Sequence, residues 1–258
     1  MNTQSIEKAE SYDLLNRVGK KVLRPGGLQL TQKLLTQLNI GPEDDVVEFA
    51  PGLGFTASIT LSKYPKSYTG IERDGITVGR LKKKFPNKSC TFIIADVAKS
   101  GLLAGCASKV YGEAMLTMHA DRRKTEIIAE AYRLLKPGGL YGIHELGLNT
   151  DEISDIASSR IKKELAQVSH VNARPLSNKE WVELLEQQGF RVLAVETSEM
   201  LLLEPKRMLA DEGLINFLHI IWNLITRAEI RERVFALRKT FKKHRNNLHA
   251  VAIVAKKL

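Results

Sequence analysis

The sequence predicts an α/β fold, a mostly parallel sheet with helices on both faces. From residue 45 onward, short β-branched runs alternate with helical patterns. A glycine loop follows the first run directly: the stretch VVEFAPGLGFTA, residues 46–57, places Gly52 and Gly54 where a strand hands over to a helix. No internal repeat or low-complexity segment competes with this reading.

Residues 1–43 are expected to be helical, with a turn at RPGG, 24–27. Strands are expected at 44–50, 67–72, 91–95, 108–112, 140–146, 191–197 and 249–255, and helices near 55–63, 74–85, 120–135 and 177–188. Ser177 followed by Glu180 gives the last of these a capping pattern. Residues 151–168 add a helical piece after the fifth strand, and 199–247 form a long helical insertion before the last. With the N-terminal helices they are placed to cover the carboxyl edge, where open α/β sheets bind ligands. The 258 residues therefore read as one decorated domain, with a nucleotide-binding core at 44–150 and cap insertions at 151–176 and 199–247.

The apolar share, 43%, is ordinary for a globular protein. Cys90 and Cys106 are too few for a disulfide framework or a metal cluster, and the first residues have no apolar signal region, so a cytoplasmic protein is expected. Of the net charge of +10, much sits in RERVFALRKTFKKHR, 231–245. That helix could meet RNA or a lipid surface, but a solvated face over an inward stripe of Val234, Phe235, Leu237 and Phe241 explains it more simply.

Gly52 and Gly54 let the backbone turn and approach a ligand, while the following helix aims free N–H groups at it. Glu72, at the end of the second strand, suits a ribose diol. An adenosine ligand fits, leaving NAD and S-adenosylmethionine open; the phosphate-loop pattern of ATP sites is absent. Glu48 favours the second, because a carboxylate before the glycines would repel a pyrophosphate and attract an ammonium and a sulfonium.

These motifs resemble the class I S-adenosylmethionine-dependent methyltransferases over roughly residues 28–198 and the final strand. VVEFAPGLG is similar to the family's first motif, with Ala50 in place of its usual first glycine and Pro51 supplying stiffness. GIERD, 70–74, looks like the second, implying Glu72 for the ribose with Arg73 beside it. ADVAKSGL, 95–102, looks like the third, implying Asp96 near the adenine amine and Val97 against the ring. LLKPGGLYGIHE, 134–145, resembles the turn into the fifth strand. The resemblance implies a seven-stranded Rossmann-like sheet whose last strand is antiparallel and inserted beside the sixth.

Methyl transfer is an in-line displacement in which positioning carries much of the rate, and a base is needed only for a protonated acceptor. Candidates cluster after strands four and five: Glu113, His119, His144 and Glu145. Glu113 can also face the cofactor. Side chains alternate along a strand, so only one of His144 and Glu145 can face the cleft. No metal-ligand spacing joins them to Glu113. The adenine-N6 acceptor motif is missing after strand four. Arg24 is a further substrate-contact candidate.

Within the insertion, GLINFLHIIWNLIT, 213–226, carries Asn216, His219, Asn223 and Thr226 as one narrow polar stripe on an otherwise apolar helix. Such a helix reads as the wall of a lipophilic pocket, with peripheral membrane contact aided by the basic helix after it, or, more simply, as a core or homodimer-interface helix whose polar stripe is wet. The reading this favours is methyl transfer to a small, apolar or aromatic acceptor. An RNA methyltransferase using the basic C-terminal helix is the alternative, with a non-transferring nucleotide binder behind it.

Overall fold

A computed structural model describes residues 9–87, 89–149 and 154–258, so residues 1–8 of the expected N-terminal helices and 151–153 of the first insertion lie outside the described residues. β1 (Asp45–Phe49), β2 (Ser67–Glu72), β3 (Cys90–Ile94), β4 (Ala107–Glu113), β5 (Leu135–Leu148), β6 (Phe190–Glu199) and β7 (Leu248–Lys257) form one sheet in the order β3-β2-β1-β4-β5-β7-β6. β1 to β5 pair in parallel, and β7 runs antiparallel between β5 and β6. This is the sheet that the sequence implies.

The helices are α1 (Ser11–Arg17), α2 (Gly27–Leu38), α3 (Phe55–Leu61), α4 (Gly75–Lys84), α5 (Asp121–Leu134), α6 (Asp155–Ser169), α7 (Asn178–Gln187), α8 (Pro205–Thr226) and α9 (Ala228–Lys243). Local chemistry sets several starts. Asp74 accepts from Ile76 and Thr77 N–H ahead of α4, and Ser177 with Glu180 closes a reciprocal capping box ahead of α7. Pro205 opens α8, which is interrupted at Gly213, where φ is 74°.

Strand alternation divides the core. Val46, Tyr68, Phe92 and Tyr111 pack with Leu30, Leu34 and Leu38 of α2 and with α3 and α4. Val47, Phe49, Tyr141 and Ile143 pack with α5 and with Trp181 of α7 on the other face. A separate apolar cluster builds the cap: Leu14 and Val18, Ile161 and Leu165, Ile220 and Leu224, and Val234 and Leu237 gather over Leu146, Leu148 and Leu248.

The cap is stitched to the start of the chain. Glu212 Oε1 accepts the Lys21 and Val22 N–H groups, each at 2.9 Å, and Asp211 Oδ1 accepts Leu28 N–H at 2.9 Å. Asn216 and Asn223 donate to the Gly19 and Val18 carbonyls at 2.9 and 3.1 Å. Gly27 must be glycine, because a Cβ there would lie 2.3 Å from Asp211 Oδ2.

Two expectations are corrected. α8 turns its polar stripe toward residues 18–19 and much of its apolar surface outward, so it is not the wall of a lipophilic pocket. The N-terminal carbonyls needed donors, and the two asparagines supply them. In α9, Val234 and Leu237 are buried, but Phe235, expected inward, is exposed. No helix among the described residues is long and apolar enough to cross a membrane.

Candidate active site

The glycine loop leaves β1 through three left-handed residues: Ala50, Gly52 and Gly54 have φ of 52°, 54° and 68°. Ala50 holds the turn, its N–H bonded to Ile71 O at 2.8 Å, at a cost of about 1 kcal/mol for a side chain in that region. Gly54 N–H closes back on Pro51 O at 2.8 Å, and a Cβ on Gly54 would meet Leu81 and Phe85 at 2.7 Å. Gly52 differs: the nearest atom to a Cβ there is Ala50 O at 4.0 Å, so the loop has an open cradle. Glu72 lies alongside, accepting Gly52 N–H at 3.3 Å and Arg73 N–H at 2.8 Å.

Glu48 does not face this cradle. Its carboxylate points to the α2 side of the sheet, where the Tyr68 and Tyr111 hydroxyls both donate to Oε2, the second at 2.6 Å. Register explains the arrangement, since Tyr111 is the β4 residue directly beside Glu48. Burial pushes the carboxyl up, and although Tyr111 and Tyr68 draw it back, it stands at about 7. The electrostatic selection expected of Glu48 therefore has no free carboxylate at the loop to act through.

At the carboxyl ends of β4 and β5 a buried polar cluster assembles. Arg24, between α1 and α2, donates through Nη1 to Glu113 Oε2 at 2.9 Å and to Thr56 Oγ1 at 2.8 Å. Thr56 also donates to Glu113, while Thr31 Oγ1 and His144 Nδ1 reach Glu113 Oε1 at 2.6 and 2.8 Å. The other ring nitrogen of His144 meets the Pro25 carbonyl. Burial alone would raise the Glu113 carboxyl, but the Arg24 guanidinium and His144 outweigh it and hold it at about 2. Glu113 is an ionised anchor, saturated on both oxygens. Arg24 is not saturated: its Nε and Nη2 are buried without a partner, and its guanidinium lies 5.2 Å from the centroid of the Phe55 ring at the start of α3.

Glu145 lies on the opposite face from His144. Its oxygens accept the Met115, Leu116 and Thr117 N–H groups at 3.0, 2.8 and 3.0 Å and the Thr117 hydroxyl at 2.7 Å. This clamps the loop after β4, and with both oxygens occupied and no solvent exposure Glu145 has none left for proton transfer. His119 ends the short 3₁₀ turn (Leu116–Met118) and is half-buried. Burial first, then the Arg123 and Arg73 cations, lower its pKa, which favours the neutral ring. Asp96 bonds Ala98 N–H at 2.9 Å and pairs with Arg123, while Val97 packs on the α5 side of the core. Tyr12 of α1, which the sequence reading did not single out, comes within the electrostatic reach of Glu72 and Arg73; burial first, then Asp13, raises its pKa. Like Thr31, it carries no local motif that could have marked it, whereas Thr56 lies within the glycine-loop stretch 46–57.

A family model described as a methyltransferase domain matches residues 47–143, which span the loop, Glu72, Asp96 and Glu113. A Haemophilus influenzae protein, named only as uncharacterized, is 30% identical over 250 residues, covering 95% of this chain and 97% of its own. The chain belongs to the class I S-adenosylmethionine-dependent methyltransferases. Solved structures share the methyltransferase's fold at low identity. A putative sarcosine dimethylglycine methyltransferase from Galdieria sulphuraria superposes with a TM-score of 0.72 at 12% identity, covering 96% of this chain and 97% of that one. A geranyl diphosphate methyltransferase in complex with SAM gives 0.66 at 14% identity, covering 89% and 85%. S-adenosylmethionine is accordingly the methyltransferase's cofactor, and the residues present fit it. The open cradle at Gly52 admits a ligand against the backbone, Glu72 offers carboxylate oxygens beside it, and the two orphaned Arg24 nitrogens suit a carboxylate.

Proposed function

We propose that this methyltransferase transfers the methyl group to a small-molecule acceptor enclosed beneath the cap. The observation that carries this reading is the roof over the carboxyl edge, with Arg24 and Pro25 bonded to Glu113 and His144 and residues 18–28 stitched to α8. Such a roof favours a small acceptor over a polymer. The names of the two solved methyltransferases point to small molecules as well.

In this reading Glu72 takes the ribose hydroxyls with Arg73 beside it, Asp96 and Val97 flank the adenine, and the Ala50-Pro51-Gly52 turn with Gly54 shapes the cradle. Arg24 takes the carboxylate of the amino-acid end. Glu48 acts from behind, bracing β1 against β2 and β4. S-adenosylmethionine, when bound, supplies a methyl group on a good leaving group, so the protein's contribution is alignment and exclusion of water. Glu113 and His144 are positioning residues that hold Arg24 and the cap segment. His119, neutral and at the same edge, is the base for an acceptor that arrives protonated. Tyr12 and Phe55 give the cleft aromatic surface, which supports an apolar or aromatic acceptor.

The RNA alternative gains no support from α9. Arg238 pairs with Glu204 and Lys243 with Glu164. Calorimetric titration with S-adenosylmethionine and S-adenosylhomocysteine, with NAD as control, tests the cofactor site. A labelled-methyl screen over phenols, quinones and amines then tests the acceptor class. RNA binding that weakens steeply between two salt concentrations, with transfer to RNA and to none of the small molecules, would overturn the proposal.

A further inference from the structure

The mounting of α8 leaves one surface unexplained by methyl transfer. Leu214, Ile215, Leu218, Trp222 and Ile225 are 62%, 87%, 56%, 65% and 62% exposed. The last four are spaced three, four and three apart, so they form a single outward stripe of three helical turns. Residues 213–226 contain no charged side chain. Exposed apolar residues scattered singly need no explanation, whereas a contiguous stripe of this size on a helix marks a contact surface.

Cations gather at the end of the stripe beyond Ile225. Arg227, which is exposed, bonds the Arg17 carbonyl through Nη1 at 2.9 Å, and Arg231 Nη1 bonds the Ile225 carbonyl at 3.1 Å, which sets both guanidinium groups at that end. Residues 213–228 hold no acid; Glu229 and Glu232 follow on the next helix. Toward the other end Lys21 is exposed, while the acids Asp211 and Glu212 are occupied by backbone N–H groups. A second copy laid antiparallel on the stripe would set the arginine end of one copy against Lys21 of the other. An anionic surface complements both ends.

We propose that the outward face of α8 docks this methyltransferase on an anionic lipid membrane, with the stripe at the boundary between headgroups and acyl chains. Arg227 and Arg231 at one end and Lys21 at the other then face the anionic headgroups. This inference rests on α8 alone and stands or falls apart from the acceptor proposed above.

The two tryptophans give the readout. Trp222 is 65% exposed and Trp181 is fully buried, so a change in emission on docking reports Trp222. The full chain is mixed with vesicles of phosphatidylcholine containing a quarter phosphatidylglycerol, and with pure phosphatidylcholine vesicles. The expected result is co-sedimentation and a blue shift with the anionic vesicles, weakened by high salt. The double variant Ile215→Glu, Leu218→Glu is expected to lose about tenfold or more in partitioning. Both positions are exposed, and unchanged S-adenosylhomocysteine binding reports that the variant is folded. No co-sedimentation with anionic vesicles overturns the proposal, as does equal partitioning of the variant. So does a dimer in the absence of lipid that the same two substitutions convert to monomer, which would assign the face to a second copy.

Discussion

Replacing Glu48 with glutamine makes a buried-charge effect measurable. In the folded protein the Glu48 carboxyl stands at about 7, against an ordinary value of 4.5, because burial outweighs the two tyrosine hydroxyls. A folded value above the unfolded one means that stability is fully present below the unfolded value and is lost as pH rises through the folded one. At about 1.4 kcal/mol per pH unit, the separation corresponds to about 3.5 kcal/mol in full, of which about 2.5 kcal/mol falls between pH 5 and pH 8. Glutamine keeps an oxygen for Tyr68 and Tyr111 and does not titrate. Urea unfolding of both proteins, followed by circular dichroism at pH 5 and pH 8, isolates Glu48, because the other titrating groups contribute alike and cancel in the difference. The variant should gain about 2.5 kcal/mol on the natural protein across that range. A gap that stays constant to within about 0.5 kcal/mol would refute the buried-carboxyl argument. The same variant should bind S-adenosylhomocysteine within about threefold of the natural protein, since its side chain faces the tyrosines; a loss of tenfold would return Glu48 to the ligand.

Three further outcomes are expected. Arg24→Met should weaken S-adenosylhomocysteine binding by about ten- to hundredfold in calorimetry, and Arg24→Lys should recover part of it, because an ammonium cannot reproduce a paired guanidinium contact. Glu145→Ala should cost about 3 kcal/mol or more in thermal unfolding, since three backbone N–H groups and the Thr117 hydroxyl lose their acceptor; a near-neutral effect would mean the loop is held some other way. The glycines should separate by readout: Gly54→Ala, clashing with Leu81 and Phe85, strongly lowers the urea midpoint, whereas Gly52→Ala, with open space around it, costs only the backbone strain of about 1 kcal/mol and chiefly lowers cofactor affinity.

The sheet was legible because each strand announces itself locally. β1 to β7 overlap the seven expected windows, and the Ser177–Glu180 box marks the start of α7 where it occurs. β5 runs further than its apolar stretch in both directions, Leu135 to Leu148, because Leu135 pairs with Ala107 ahead of a register shift that resumes at Leu140, and β7 pairs with it as far as Leu148. The cluster around Glu113 was only half legible. Glu113 and His144 sit in motifs, but Arg24, Thr31 and Thr56 come from three other segments and meet only in the folded chain. For Glu48 the residue was visible and its direction was not, since that depends on register with Tyr111. The stripe on α8 was read correctly as a period and oppositely as an orientation. The usual rule turns the polar side to water, and here two backbone carbonyls claimed it.

The clasp between the two ends of the chain gives the protein an order of assembly. Lys21 and Glu212 are 191 residues apart in sequence, and Arg17 and Arg227 are 210 apart. On the ribosome the glycine loop, Glu72 and Glu113 all emerge before the second half of the clasp exists. A chain halted before residue 211 has the cofactor edge in the open and nothing to shut it. The roof is therefore made after the cofactor edge it covers, and β7, the strand that completes the sheet, is made after both.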